Sequence, residues 1–234
     1  MKLSQIGLVD AVIQYHDSLN PAAWNGWNMK PEVRRKLLDI ASLFADSLEI
    51  DNLDIIDVRL AGSMSNFNWT KHSDFDLHLV VDFDELNCDD LTEVLFRAKK
   101  TIWNANHDIT INGHDVEMYV EDLKDPPASL GYFSVKNNRW LHKPEFVPPS
   151  FDRASVNRKT KQLMDEINKA IKSTSDSQEV HKLLEKLRRM RQSGLDAAGE
   201  FSTENLAYKA LRQMGYLNKL YQAHNDLVDK NLSL

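Results

Sequence analysis

The stretch of this chain best equipped for chemistry is residues 60–82, LAGSMSNFNWTKHSDFDLHLVVD. Two carboxylates, Asp74 and Asp76, stand two apart where Phe75, Leu77, Leu79 and Val81 alternate with Asp74, Asp76, His78 and Asp82. That alternation is the period of a half-buried strand, with the carboxylates on one face and the apolar set toward the core. Residues two apart on a strand lie ~6.6 Å apart, close enough for both side chains to serve the same pair of cations. Bringing two carboxylates together costs on the order of several kcal/mol unless positive charge sits between them. The pattern therefore predicts a metal site.

The complementary half lies just upstream. Ile56, Val58 and Leu60 alternate with Asp57 and Arg59 as a preceding strand that runs into Ala61-Gly62-Ser63. A glycine lets the backbone turn tightly and lets a phosphate approach it. If Ser63 opens a short helix, its hydroxyl and the first free N–H groups form an anion site beside the aspartates. A third carboxylate is expected from Ile109-Thr110-Ile111, Asn112-Gly113 and His114–Val120, because Asn-Gly between alternating runs is a strong hairpin signal. In the second arm Val116, Met118 and Val120 face one way, and Asp115, Glu117, Tyr119 and Glu121 the other. Set beside the first acidic strand at about 4.8 Å, Glu117 reaches the same cluster.

An apolar residue before Gly-Ser, a gap of about ten residues, Asp-apolar-Asp, and a later acid between apolar residues together resemble the nucleotidyltransferase superfamily. That superfamily includes DNA polymerase beta, the tRNA CCA-adding enzymes and the oligoadenylate synthases. Leu60-Ala61-Gly62-Ser63, Ser73-Asp74-Phe75-Asp76-Leu77 and Val116-Glu117-Met118 fill its places, over roughly residues 53–122. The resemblance implies that Asp74, Asp76 and Glu117 bind two Mg²⁺ or Mn²⁺ ions and that Glu117 assists deprotonation of an attacking hydroxyl. It implies an NTP substrate cradled by Gly62 and Ser63. Many members carry Arg-Gly within the ten-residue segment, where this chain has Asn66-Phe67.

The expected architecture is α/β (α+β): a small mixed sheet flanked by helices over residues 1–147, then an all-helical domain over 148–234, with the active site in a cleft between them. Pro144 and Pro148-Pro149 mark the linker. Helices are predicted over 4–16, from Pro31, and over 88–105, with a second hairpin of Tyr132–Val135 and Arg139–His142. Asp176 with Glu179 reads as a capping box, and Ser202 as the N-cap of the last helix, stapled by Phe201 and Leu206. Trp24 and Trp27 flank a glycine; packing anchors are the better reading, base-stacking the other. His78, on the acidic face, reads as a structural histidine, and His107 and His114 as surface residues without zinc-site spacing.

The charge is uneven. Residues 1–150 carry 14 Lys and Arg against 24 Asp and Glu, and residues 151–234 carry 15 against 11. An acidic half suits metal, and a basic half suits a polyanion or is simply the solvated side of long helices. Lys182, Lys186 and Arg189 recur at about one-turn spacing and are candidates to hold the phosphates of an RNA or DNA acceptor. Tyr208, Lys209 and Arg212 are candidates to meet the NTP from the last helix, and Lys71 to neutralise pyrophosphate or else to lie in solvent. No segment reads as a membrane span, and Cys88, the single cysteine, fits a reducing compartment, so the cytoplasm is expected. Two functional classes stand side by side: a nucleotidyltransferase acting on a nucleic-acid end, a protein side chain or a second nucleotide, and an inactive relative that binds nucleic acid or protein. Three retained carboxylates favour the enzyme, because an inactive copy has no use for their repulsion.

Overall fold

The structure is a computed structural model that describes residues 14–50, 52–86, 90–126, 129–146, 148 and 150–233. The chain divides into a compact unit Tyr15–Val147 and a second unit from Pro148 onward. The helix expected over 4–16 lies outside the described residues except at 14–16, which are not helical.

The first unit opens on a two-stranded hairpin, β1 (Trp24–Asn25) with β2 (Asn28–Met29), followed by α1 (Pro31–Ser47). Proline suits a helix start because the missing N–H has no intrahelical partner there. The sheet comprises β3 (Asp57–Ala61), β4 (Phe75–Val81), β5 (Thr110–Ile111), β6 (His114–Asp122), β7 (Tyr132–Ser134) and β8 (Arg139–His142), with α2 (Asp90–Asn106) between β4 and β5. The strand order is β5-β6-β4-β3-β7-β8. β4 and β6 are parallel and the other pairs antiparallel, so the sheet is mixed as expected. A parallel pair needs a long crossover, and α2 lies within it. Asn112 and Gly113 both take positive φ, 51° and 82°, as a two-residue turn between β5 and β6 requires.

One face of the sheet is apolar. Val58, Leu60, Phe75, Leu77, Leu79, Val116 and Met118 are buried in one cluster with Val33, Leu37, Ile40 and Phe44 of α1. The other face is set out in rows by the register: Ala61, Asp76 and Glu117; Arg59, His78 and Tyr119; Asp57, Val80 and Glu121. Paired residues project to the same side, so the polar face carries most of the unit's candidate chemistry. Trp24 is an anchor, buried and donating from Nε1 to the Met64 carbonyl at 2.7 Å. Trp27 is 43% exposed and packs edge-on against Trp140 and Phe67.

The second unit is helical: α3 (Arg153–Ser173), α4 (Ser177–Ala198), α5 (Thr203–Gln213) and α6 (Tyr216–Leu232). Asp152, Asp176 and Ser202 are side-chain N-caps. Asp176 accepts from Gln178 N at 2.8 Å. Phe201 packs on the buried pair Leu206 and Val156, as a staple should. The expected single last helix is two, because Gly215 in the left-handed region, φ 74°, ends α5 and starts α6. Leu163, Ile167, Val180, Leu184, Leu187, Leu211 and Leu220 form its core. Among the described residues no helix is long and apolar enough to cross a membrane.

Candidate active site

β3 ends on Ala61, and the chain turns at Gly62 into a 3₁₀ turn over Ser63–Ser65. Gly62 has φ 71° and ψ −159°, a region essentially reserved for glycine. A Cβ there would lie 2.0 Å from Asp76 Oδ2, so the absence of a side chain is what lets the turn and the carboxylate lie against each other. The Gly62 N–H donates to Ser129 Oγ at 3.2 Å. Ser63 Oγ donates to Ser73 Oγ at 2.7 Å, and Ser73 Oγ also accepts from Thr70 N at 2.8 Å. The ten-residue spacing thus corresponds to a loop closed by two hydroxyls. This corrects the expected anion site in part: the Gly62 amide and the Ser63 hydroxyl proton are already used, and the Ser63 and Met64 amides at the turn's opening are those without intrahelical partners.

The same loop accounts for Asn66-Phe67. Phe67 is buried among Tyr15, Trp27 and Phe146, its N–H bonded to Asn66 Oδ1 at 2.8 Å and its carbonyl accepting from His16 N at 2.8 Å. Lys71 is exposed at the loop's far turn.

Asp74 is not on the strand. Pairing begins at Phe75 opposite Val116, and Asp74 sits one residue before it, held off the ladder because Ser73 is still engaged in closing the loop. Asp76 is on the strand, directly between Ala61 of β3 and Glu117 of β6. The Tyr119 hydroxyl donates to Glu117 Oε2 at 2.7 Å. Burial, then the charges of Asp76 and Glu117, then the Glu117 hydrogen bond and Asp74, raise the Tyr119 phenol far above its ordinary pKa. Lys100 of α2 lies with its Nζ 3.6 Å from the Tyr119 ring centroid. Burial lowers its pKa, against the pull of Glu117 and Asp76.

Among the described residues no three His, Cys, Asp or Glu side chains form a ready cage for a metal ion. The donor set nonetheless suits Mg²⁺ or Mn²⁺, whose sites are commonly one or two carboxylates completed by water and substrate phosphates rather than an all-protein cage. Asp76 and Glu117, partners across β4 and β6, are the carboxylates that could serve such an ion.

Sequence reasoning missed the buried ionic network two rows away. Arg59 bonds Asp57 Oδ2 from Nε at 3.1 Å and Glu121 Oε1 from Nη1 at 2.9 Å, and Tyr132 OH also donates to Glu121 Oε1. Ser134 Oγ donates to Asp57 Oδ1 at 2.7 Å, and His78 Nδ1 lies 3.0 Å from Glu121 Oε2. His78 also stacks on Tyr119 with ring centroids 4.8 Å apart. His114 is not a surface residue: it is half-buried, with Nδ1 2.6 Å from the Ser73 carbonyl, because β6 starts against the closed loop.

Lys209, Tyr208 and Lys186 of the basic half have partners inside their own unit. Lys209 Nζ bonds Glu200 Oε2 at 2.6 Å, Tyr208 packs against that unit's core with Arg191 over its ring, and Arg212 is exposed. Lys186 pairs with Glu166 at 2.5 Å, while Lys182 and Arg189 are exposed.

No protein-family model and no curated protein sequence matches the chain. Two solved structures are similar to it at low level. One is a STING-associated CdnE c-di-GMP synthase from Capnocytophaga granulosa, 14% identical over 89% of this chain and 85% of that one, with a TM-score of 0.22. The other is the Elizabethkingia meningoseptica CdnE cyclic dinucleotide synthase with GTP and Apcpp, 11% identical over 98% and 83%, with a TM-score of 0.26. A likeness this slight carries no conclusion about the chain.

Proposed function

We propose that the Tyr15–Val147 unit is a nucleotidyltransferase that passes a nucleoside monophosphate from an NTP to a hydroxyl acceptor and releases pyrophosphate. The observation that carries this reading is the row Ala61–Asp76–Glu117, which sets the Gly62 turn and two carboxylates side by side on one face. Asp74, Asp76 and Glu117 are the residues that would hold Mg²⁺ or Mn²⁺. When bound, such an ion supplies charge stabilisation to the transferring phosphoryl group and its entering and leaving oxygens.

The chain's own groups do the rest. Gly62, without a side chain, lets phosphate oxygens approach the turn, and the amides of Ser63 and Met64 are donors for them. The acceptor hydroxyl oxygen bonds to the α-phosphorus as the bond from that phosphorus to the β-phosphate bridging oxygen breaks. Its proton passes to Glu117. Tyr119 fixes the Glu117 carboxylate by its hydrogen bond and, with its raised pKa, remains a donor rather than a competing base. Lys71 on the exposed loop meets the departing pyrophosphate. For the acceptor we take a nucleic-acid end, with the exposed Lys182 and Arg189 of α4 as candidate phosphate contacts for the nucleic acid.

The test is to incubate the protein with each α-labelled NTP and Mg²⁺ or Mn²⁺, with tRNA, single-stranded RNA, DNA or no acceptor, and to separate the products. Transfer of label with matching pyrophosphate release, lost in Asp76→Asn and Glu117→Gln, supports the reading. No pyrophosphate from any of the NTPs would leave a binding module instead.

A further inference from the structure

Gly62 is held from outside its own turn. The Gly62 N–H donates to Ser129 Oγ at 3.2 Å, and Ser129 Oγ in turn donates to the Gly131 carbonyl at 2.7 Å. That carbonyl accepts a second hydroxyl, from Ser65 Oγ at 2.7 Å, and the same Ser65 Oγ lies 3.0 Å from the Gly62 carbonyl. Both backbone polar groups of Gly62 therefore meet a serine, and both serines converge on one carbonyl.

The two segments are in close contact as well as bonded. A Cβ on Gly131 would stand 1.8 Å from the Ser65 carbonyl oxygen, so the Ser129–Gly131 segment rests directly on the backbone of the turn. Ser65 is fully buried, whereas Ser129 is half-buried beside Leu130, which is 48% exposed. Ser129 is the outer member of this clamp. What the clamp fixes lies on the other side of Gly62, whose backbone, at φ 71° and ψ −159°, runs so close to Asp76 that a Cβ would fall 2.0 Å from Oδ2. A glycine populates many backbone conformations with similar ease, so contacts from outside select this one.

We propose that Ser129 is a positioning residue of the candidate site: by tying the Gly62 amide to the Gly131 carbonyl it sets the turn against which Asp76 takes its place. The inference deepens the nucleotidyl-transfer reading and rests on it for its kinetic consequence, while the clamp stands on the contacts alone. A hydroxyl is required, since one group must accept from Gly62 and donate to Gly131. Alanine can do neither; threonine can do both.

The experiment compares wild type, Ser129→Ala and Ser129→Thr in the full chain, by residue-resolved amide hydrogen exchange and by steady-state NTP turnover. In Ser129→Ala the Gly62 amide should exchange about five-fold faster or more, the loss expected for one hydrogen bond. The Met118 amide, bonded to Asn104 Oδ1 elsewhere in the sheet, should keep its wild-type rate. Turnover should show kcat down about ten-fold or more with KM for the NTP within about two-fold, because orientation of Asp76 is lost rather than ground-state binding. Threonine should restore both readouts. Unchanged Gly62 exchange in Ser129→Ala, exchange raised equally at Met118, or a threonine variant no better than alanine overturns the clamp. Faster Gly62 exchange with wild-type kcat overturns the positioning role. No turnover by wild type overturns nucleotidyl transfer itself, and the exchange result then decides the clamp.

Discussion

Gly62→Ala is the sharpest perturbation of the proposed site, because the geometry fixes its cost. At φ 71° and ψ −159° an alanine is strained, by roughly 1–3 kcal/mol for a non-glycine residue in that region. The added Cβ also lands 2.0 Å from Asp76 Oδ2 and 3.0 Å from its Cγ. Asp76 relieves that only by leaving its rotamer, at about 0.5–1.5 kcal/mol. The sum, about 2–4 kcal/mol, corresponds to a fall in Tm of roughly 5–15 °C for a chain of this size. The chain's 5 tryptophans, Trp24, Trp27, Trp69, Trp103 and Trp140, all lie in the sheet unit. Urea unfolding followed by tryptophan fluorescence therefore reads this unit without the helical one. Adding Asp76→Ala should recover the side-chain part, about 1 kcal/mol, and leave the backbone part. Gly62→Ala unfolding within ~0.5 kcal/mol of wild type, the scatter of a neutral substitution, would refute the close approach on which the site is built.

Three further outcomes follow from the same coordinates. Arg59→Met strands Asp57 and Glu121, whose side chains are 6% and 2% exposed; breaking such a pair costs about 3–5 kcal/mol, and the same urea titration should show the loss shrink when Glu121→Gln is added. Burial raises the phenols of Tyr119 and Tyr132 above the ordinary value of 10.0, helped by Asp76 and Glu117 in the first case and by the Glu121 hydrogen bond in the second. A group with a raised folded pKa contributes stability that is whole below the unfolded value and drains away above it; phenolate absorbance from these two should therefore appear only together with alkaline unfolding, and their reversible ionisation in the folded state near pH 10 would contradict the hydrogen-bonded geometry. Reversing charge at Lys182 and Arg189 should weaken retention of single-stranded RNA and flatten its salt dependence, measured by filter binding over a salt series; unchanged RNA binding removes the nucleic-acid acceptor and leaves the carboxylate row untouched.

Much of the sheet unit was legible because its signals are local. Asn112-Gly113 specifies its own turn, and the alternation through Phe75–Val81 and His114–Asp122 specifies which side chains share a face. What alternation cannot supply is register across strands distant in sequence. Arg59 and Glu121 are 62 residues apart, and nothing in either strand says that their rows coincide. The same gap hid Lys100: helical periodicity identifies a helix's inward stripe, but not which flanking residue overhangs a sheet edge and reaches the face beyond it. Asp74 was misplaced by one residue because the strand's start is set by the Ser63–Ser73 hydroxyl pair, a tertiary contact. The break at Gly215 was readable, since a glycine directly after Arg212-Gln213-Met214 is a common helix stop.

The polar face also shows why three carboxylates alone are a weaker signal than their order. Four acidic residues occupy the rows of this face on β3, β4 and β6: Asp57, Asp76, Glu117 and Glu121. Asp57 and Glu121 share the row farthest from the Gly62 turn, and Arg59 bonds both, so that row is closed by an ion network and 13% exposure of the arginine side chain. Asp76 and Glu117 share the row next to the turn, where the nearby cation is a lysine resting on a ring rather than a guanidinium in bidentate reach. The difference is chemical. A guanidinium keeps its charge and its fork geometry, and makes its row a permanent part of the core. An ammonium on a flexible stem imposes no such fork geometry. The same residue type therefore lies in a closed ion network at one end of the strands and beside a glycine turn at the other.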